Sequence, residues 1–166
     1  GKGDSLVDLN RTGTPLLEIV TEPDLRSSAE AKVFLYELKL LLTYLGVSDC
    51  NMQEGSLRVD ANVNLHIDRP EGKVATPIVE IKNMNSFRSV VRALKHEEIR
   101  QREVIANGGS LVQETRGWYE ATGETIPQRT KEQAHDYRYF PEPDLPPLTM
   151  GEARKDEIRT TIGELP

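Results

Sequence analysis

Cysteine occurs once in the 166 residues, at Cys50. A single thiol excludes an internal disulfide framework and a cysteine-built zinc site within these residues, and it suits a reducing compartment. Long apolar runs are also missing. Nothing approaches the roughly 20 apolar residues that a bilayer-spanning helix needs, so no membrane contact is expected, and the location expected is cytoplasmic, or organellar in a eukaryote. Positive charge is in deficit, with 21 Lys and Arg against 27 Asp and Glu and a formal net charge of −6. Phosphate contacts need Lys and Arg, so the surface as a whole is not that of a nucleic-acid binder. The three histidines, His66, His96 and His135, lack metal-ligand spacing. There is no low-complexity segment and no solenoid-length repeat. "GKGDS" at the start lacks the spacing and preceding strand of a phosphate-binding loop, and it reads as the middle of a loop in a longer polypeptide.

What is present is a composition with 37% hydrophobic and 29% charged residues, that of a globular chain long enough to bury a core. "TPLLEIV", residues 14–20, predicts a buried strand. Start and stop signals at Ser27 or Ser28 and at Gly46 bound a helix over 28–45, apolar around much of its circumference and therefore expected to be well covered. A strand over 56–68, with a possible bulge at Gly55, is expected to pair antiparallel with a strand over 76–83. A helix over 86–106 follows and ends at "NGGS". Segments 111–119 and 124–130 flank "ATGE" as a hairpin, the proline-rich "HDYRYFPEPDLPPL" reads as an ordered loop, and a final helix begins near Gly151. The order predicts an α+β fold with a mostly antiparallel sheet and helices on one face. The β-α-β2 order of residues 14–68 recurs weakly over 76–130, the pattern of a duplication.

In "SLRVDANVNLHID", residues 56–68, apolar side chains fall on odd positions and Arg58, Asp60, Asn62, Asn64 and His66 on even ones. Asp and Asn are poor strand formers. Their row on one face reads either as a solvated surface or as a cleft lining. Three glutamates, Glu18, Glu54 and Glu80, lie in or against otherwise apolar strand segments. A carboxylate buried there needs a cation partner, which points either to Arg and Lys neighbours such as Arg58 and Lys82 or to a magnesium ion. Taken singly, each is also explicable as an edge or solvent-facing carboxylate. Lys82, Arg88, Arg92, Lys95, Arg100 and Arg102 outnumber the acids over 82–103, a pattern common on solvated helix faces. Trp118, Tyr119, Tyr137, Tyr139 and Phe140 could stack on bases, though core packing is their commoner use. The residues alone reach an α+β domain with an acidic cleft.

The strings "DLNRTGTPLLEIVTEPD", "VSDCNMQEGSLRVDANVNL", "VEIKNMNSFRSV", "QETRGWYEATGET" and "DYRYFPEPDLPPL" resemble, in order and spacing, the cradle domain of the B-subunit family of aspartyl/glutamyl-tRNA amidotransferases. The resemblance implies a curved, mostly antiparallel sheet like the glutamine synthetase and guanido kinase catalytic core, binding ATP and Mg2+ on its concave side. Residues 1–149 would be the later part of the cradle, and 150–166 the start of a helical domain. The implied reaction phosphorylates the side-chain carboxylate of misacylated Glu-tRNA(Gln) or Asp-tRNA(Asn), and ammonia from the amidase A subunit then displaces phosphate. The implied partners are that A subunit, the small C subunit of the heterotrimer and the tRNA acceptor end.

Carried over by motif, Glu18, Glu54 and Glu80 are metal ligands. Arg58, Lys82 and Asn83 contact phosphate or substrate, and Asp60 orients Arg58 and Lys82 as part of the catalytic group. The family's N-terminal Glu and His ligands, its zinc knuckle and its tRNA-binding tail are absent from these residues. The chain alone is therefore expected to fold without catalysing. Two other readings are a scaffold that docks the partner subunits and the related archaeal E-type subunit acting on Glu-tRNA(Gln). A small-molecule kinase of similar fold fits the strings less closely.

Overall fold

The computed structural model describes residues 8–10, 13–70, 72–130 and 146–166. Helix α1 spans Ser28–Tyr44, with Ser27 as its N-cap accepting from the Glu30 N–H at 3.1 Å. Strands β1 (Val59–Val63), β2 (His66–Arg69), β3 (Gly72–Ala75) and β4 (Val79–Met84) follow, then α2 (Phe87–Ala106), β5 (Glu114–Tyr119), β6 (Glu124–Thr130) and α3 (Glu152–Thr161). The main sheet has the order β1-β4-β5-β6, with β4–β5 parallel and the two outer pairings antiparallel. β2 and β3 form a separate antiparallel ribbon. The α+β fold and its helix positions agree with the sequence pattern.

Alternation builds the core. Val79 and Ile81 on β4 are fully buried, and Ile81 clusters with Val90 and Ala93 of α2, Leu35 of α1, Met84 and Trp118. Strict alternation would turn Met84 outward. Instead β4 carries an irregularity opposite β1, where Val59 aligns with Met84 but Ala61 with Ile81. Asn83 takes the extra position with φ 67°. The bulge returns Met84 to the core face.

Five expectations fail. Residues 14–20 form no strand: they have no regular structure, and Leu16, Leu17 and Val20 are exposed. Strand propensity does not suffice without a ladder partner and a surface to cover. With that strand missing, the duplication loses its first element. Residues 56–68 are not one strand but β1 and β2 with a break at 64–65, where the Leu65 N–H turns to the Thr76 hydroxyl at 2.8 Å. Gly55 is not a bulge; with φ 81° it ends a turn in which its N–H reaches Met52 O at 3.3 Å. Finally, α1 is not well covered. Only Ala31 and Leu35 are buried, and Val33, Tyr36 and Tyr44 face outward. The proline-rich stretch 135–148, with His135, Tyr137, Tyr139 and Phe140, lies outside the described residues except for 146–148.

A polar layer lies between α2 and the sheet. Glu97 is fully buried, yet its carboxylate accepts from Arg100 Nη2 at 2.6 Å, Gln101 Nε2 at 2.9 Å and Thr125 Oγ1 at 3.0 Å. Arg116 joins it, donating to Glu114 Oε1 at 2.7 Å and to the Thr125 carbonyl at 2.7 Å. Gln101 in turn accepts from the Thr76 hydroxyl at 2.9 Å. Among the described residues no buried side-chain polar atom lacks a partner, as a tolerated interior network requires. The network joins α2 to β5, β6 and the entry of β4, and so fixes the sheet's opposite face.

Candidate functional site on the open face of the sheet

With Val79 and Ile81 turned toward α2, the intervening residues of β4 turn away from it. Glu80 and Lys82 therefore share the open face with Asp60 and Asn62 of β1 and with Thr115 and Gly117 of β5. Lys82 Nζ lies 2.5 Å from Asp60 Oδ2 and 3.2 Å from Glu80 Oε1. Burial disfavours the ammonium, but the hydrogen bonds and charges of Asp60 and Glu80 outweigh it and hold the Lys82 pKa above its ordinary value. The Thr115 hydroxyl donates to Glu80 Oε2 at 3.0 Å. Gly117, beside Lys82 in the parallel register, leaves room for the Gln128 amide, which a Cβ there would strike.

The other residues singled out by sequence stand apart from this trio. Arg58, exposed just before β1, lines a shallow groove with Thr14, Pro15 and Leu16. Glu18 lies farther along that same exposed, irregular segment. Glu54 sits in the exposed turn before Gly55, so the strand parity that would align it with Arg58 and Asp60 does not operate. Asn83 directs its amide to the Trp118 carbonyl at 3.0 Å. His66 is exposed on β2, in the separate ribbon.

Among the described residues, no group of three or more His, Cys, Asp and Glu is placed to hold a metal ion. The oxygen donors of Asp60 and Glu80 suit a hard divalent cation, but the Lys82 ammonium already lies against both. Among the described residues, the cation held between these two carboxylates is Lys82.

The cations of the 82–103 cluster are largely matched within the chain. Arg92 pairs with Glu120 beside the Trp118 ring, Arg100 with Glu97, and Arg102 with Glu98 at 2.9 Å. Hydrogen bonds from Trp118 Nε1 and the Ser89 hydroxyl, outweighing desolvation, hold Glu120 below the usual carboxylate range.

Thr115 is the site residue that sequence reasoning missed. A threonine in "QETRGWYE" carries no signal until β5 is known to run parallel to β4 with Thr115 beside Glu80.

Residues 1–156 match the family model described as the GatB/GatE catalytic domain. The chain is 61% identical over 98% of its length to the B subunit of the aspartyl/glutamyl-tRNA(Asn/Gln) amidotransferase of Caldicellulosiruptor saccharolyticus. It is 57% identical over its whole length to the protein of that name from Rhodopirellula baltica, and 56% identical to that from Thermomicrobium roseum. It spans about a third, 33–34%, of the length of these curated relatives. The chain belongs to the GatB/GatE catalytic-domain family.

Proposed function

We propose that this chain carries part of the site at which a B-type amidotransferase subunit uses ATP to activate the side-chain carboxylate of Glu-tRNA(Gln), Asp-tRNA(Asn) or both. The observation that carries the reading is Lys82, held between Asp60 and Glu80 on the open face of the sheet, in a chain of this family. A carboxylate is a poor acyl donor because its leaving group would be oxide. Transfer of the γ-phosphoryl of ATP to a carboxylate oxygen releases ADP and creates an acyl phosphate. Ammonia from the glutamine-hydrolysing A subunit then attacks the carbonyl carbon, phosphate departs with the C–O bond, and loss of a proton leaves the amide.

Phosphoryl transfer demands alignment and charge neutralisation more than covalent help. Lys82, kept protonated by its two carboxylates, supplies a fixed positive charge for phosphate oxygens, and Asp60 orients it. Arg58, beside the groove at residues 14–16, and Asn83 are assigned to phosphate or substrate. Magnesium, when bound, would neutralise phosphate charge; Glu80 would hold it, with Glu18 and Glu54 as the further ligands the family pattern assigns. The A and C subunits and the tRNA acceptor end are the partners in this reading, with residues 150–166 opening the next domain.

The decisive experiment uses the full-length protein assembled with its partners. Glu54→Ala and Glu80→Ala should abolish amide formation while glutamine hydrolysis stays measurable; retained amide formation in both overturns the metal-ligand assignment. ATP-dependent phosphate release by the 166-residue chain alone would contradict the expectation that it is inactive by itself.

The scaffold reading keeps one observation in its favour. Leu16, Leu17 and Val20 before α1, and Val33, Tyr36 and Tyr44 on it, expose apolar surface suited to docking. It leaves the ordered Glu80–Lys82–Asp60 arrangement without a purpose. An E-type protein remains the alternative within the same family; the three bacterial relatives are all of the B type.

A further inference from the structure

We infer that Thr115 is a positioning residue that sets the direction of the Glu80 carboxylate, an inference that rests on the proposed role of the open face. Thr115 is 1% exposed although it lies on the face of the sheet turned away from α2. Its backbone is fixed beside Glu80 by the parallel β4–β5 ladder. A β-branched side chain has little χ1 freedom, so the hydroxyl is presented from a set point. A hydroxyl has one proton to donate, and this one goes to Glu80 Oε2 at 3.0 Å, while Oε1 faces Lys82 Nζ at 3.2 Å.

The two carboxylate oxygens are therefore distinguished. Oε2 is tied back to the sheet by a neutral donor and Oε1 is turned toward the charged group of the site. The hydroxyl is thus one of the restraints on the Glu80 terminal torsion, which is intrinsically broad, and its loss widens the range of directions open to Oε2 and loosens the Glu80–Lys82 geometry. A site that works by alignment is sensitive to such loosening far beyond what stability registers.

The test uses the full-length protein in its complex, with binding of the magnesium complex of a non-hydrolysable ATP analogue measured by calorimetry beside the steady-state rate of amide formation. Thr115→Val should weaken analogue binding about tenfold, because Glu80 is then less well aligned before the analogue binds. Thr115→Ser, which keeps the hydroxyl and loses the methyl, should bind within about twofold of the parent because the same bond re-forms. In a Glu80→Gln background, Thr115→Val should add little further loss, since both changes act through one carboxylate. If valine is not accommodated, Thr115→Ala removes the same hydroxyl without bulk and carries the same expectation.

Unchanged binding in Thr115→Val, or equal damage in Thr115→Ser, overturns the positioning role. If Glu80→Gln harms binding and amide formation while Thr115→Val harms neither, the positioning role alone falls. If Glu80→Gln is itself neutral, the reading of the open face falls and takes the positioning role with it.

Discussion

The Asn83 side-chain amide donates to the Trp118 backbone carbonyl at 3.0 Å, tying the bulge of β4 to the end of β5. Asn83 combines this bond with a left-handed backbone, φ 67°, a conformation Asn tolerates better than other residues with a Cβ. The bulge at Asn83 returns Met84 to the core two residues after Lys82 has faced the open side.

Asn83→Val should therefore cost about 1–3 kcal/mol, the penalty for forcing a β-branched residue into that conformation. Asn83→Gly should stay within about 1 kcal/mol of the parent, because glycine adopts positive φ freely and forfeits only the amide bond. Urea unfolding of the two variants checks the ordering. Amide formation by Asn83→Gly in the full complex then separates backbone shaping from phosphate contact: activity survives in the first case and is lost in the second.

Lys82→Met should separate activity from stability. Lys82 and Asp60 are both partly exposed, 34% and 52% by side chain, so their bond should contribute no more than about 1 kcal/mol to folding. Removing a fixed charge aimed at a transferring phosphoryl group should lower amide formation about a hundredfold or more. Because the Lys82 pKa is raised above 10.5, the ammonium and its stabilising bonds are fully present below that value. They are lost only as pH rises through the higher folded value. The rate of the parent enzyme should therefore show no limb from Lys82 between about pH 6 and 9, and a pH–rate profile against Lys82→Arg checks this.

Much of this architecture is legible in local pattern. Ser27 as cap, Gly46 past the first helix and the alternation of Val79, Ile81 and Glu80 mark elements that the structure contains. What local pattern misses depends on partners distant in sequence. "TPLLEIV" has the composition of a strand and, among the described residues, no ladder to join, and "SLRVDANVNLHID" alternates without interruption although Thr76 breaks it at Leu65. The site follows the same rule. Asp60, Glu80 and Lys82 meet because β1 and β4 pair, which parity foreshadows. Glu54 depends on a register that the turn at Gly55 removes, and Thr115 on a parallel pairing that no short-range signal announces.

The buried Glu97 network yields the strongest stability prediction. Burial alone would raise the Glu97 pKa, but hydrogen bonds from Arg100, Gln101 and Thr125 and the Arg100 charge prevail and hold it below the ordinary 4.5. Glu97→Ala strips Arg100 and Arg116 of a carboxylate inside the fold and should cost about 3–5 kcal/mol. Glu97→Gln keeps the shape and loses the charge, so it should cost less, about 1–3 kcal/mol. A carboxylate with a depressed folded pKa stabilises above its unfolded value, and that contribution disappears as pH falls through the folded value. The stability gap between parent and Glu97→Gln should accordingly be full at pH 7 and shrink on acidification below about 4.5. Urea unfolding curves for both proteins across that range decide it; a gap independent of pH would mean that the Glu97 charge contributes nothing to the fold.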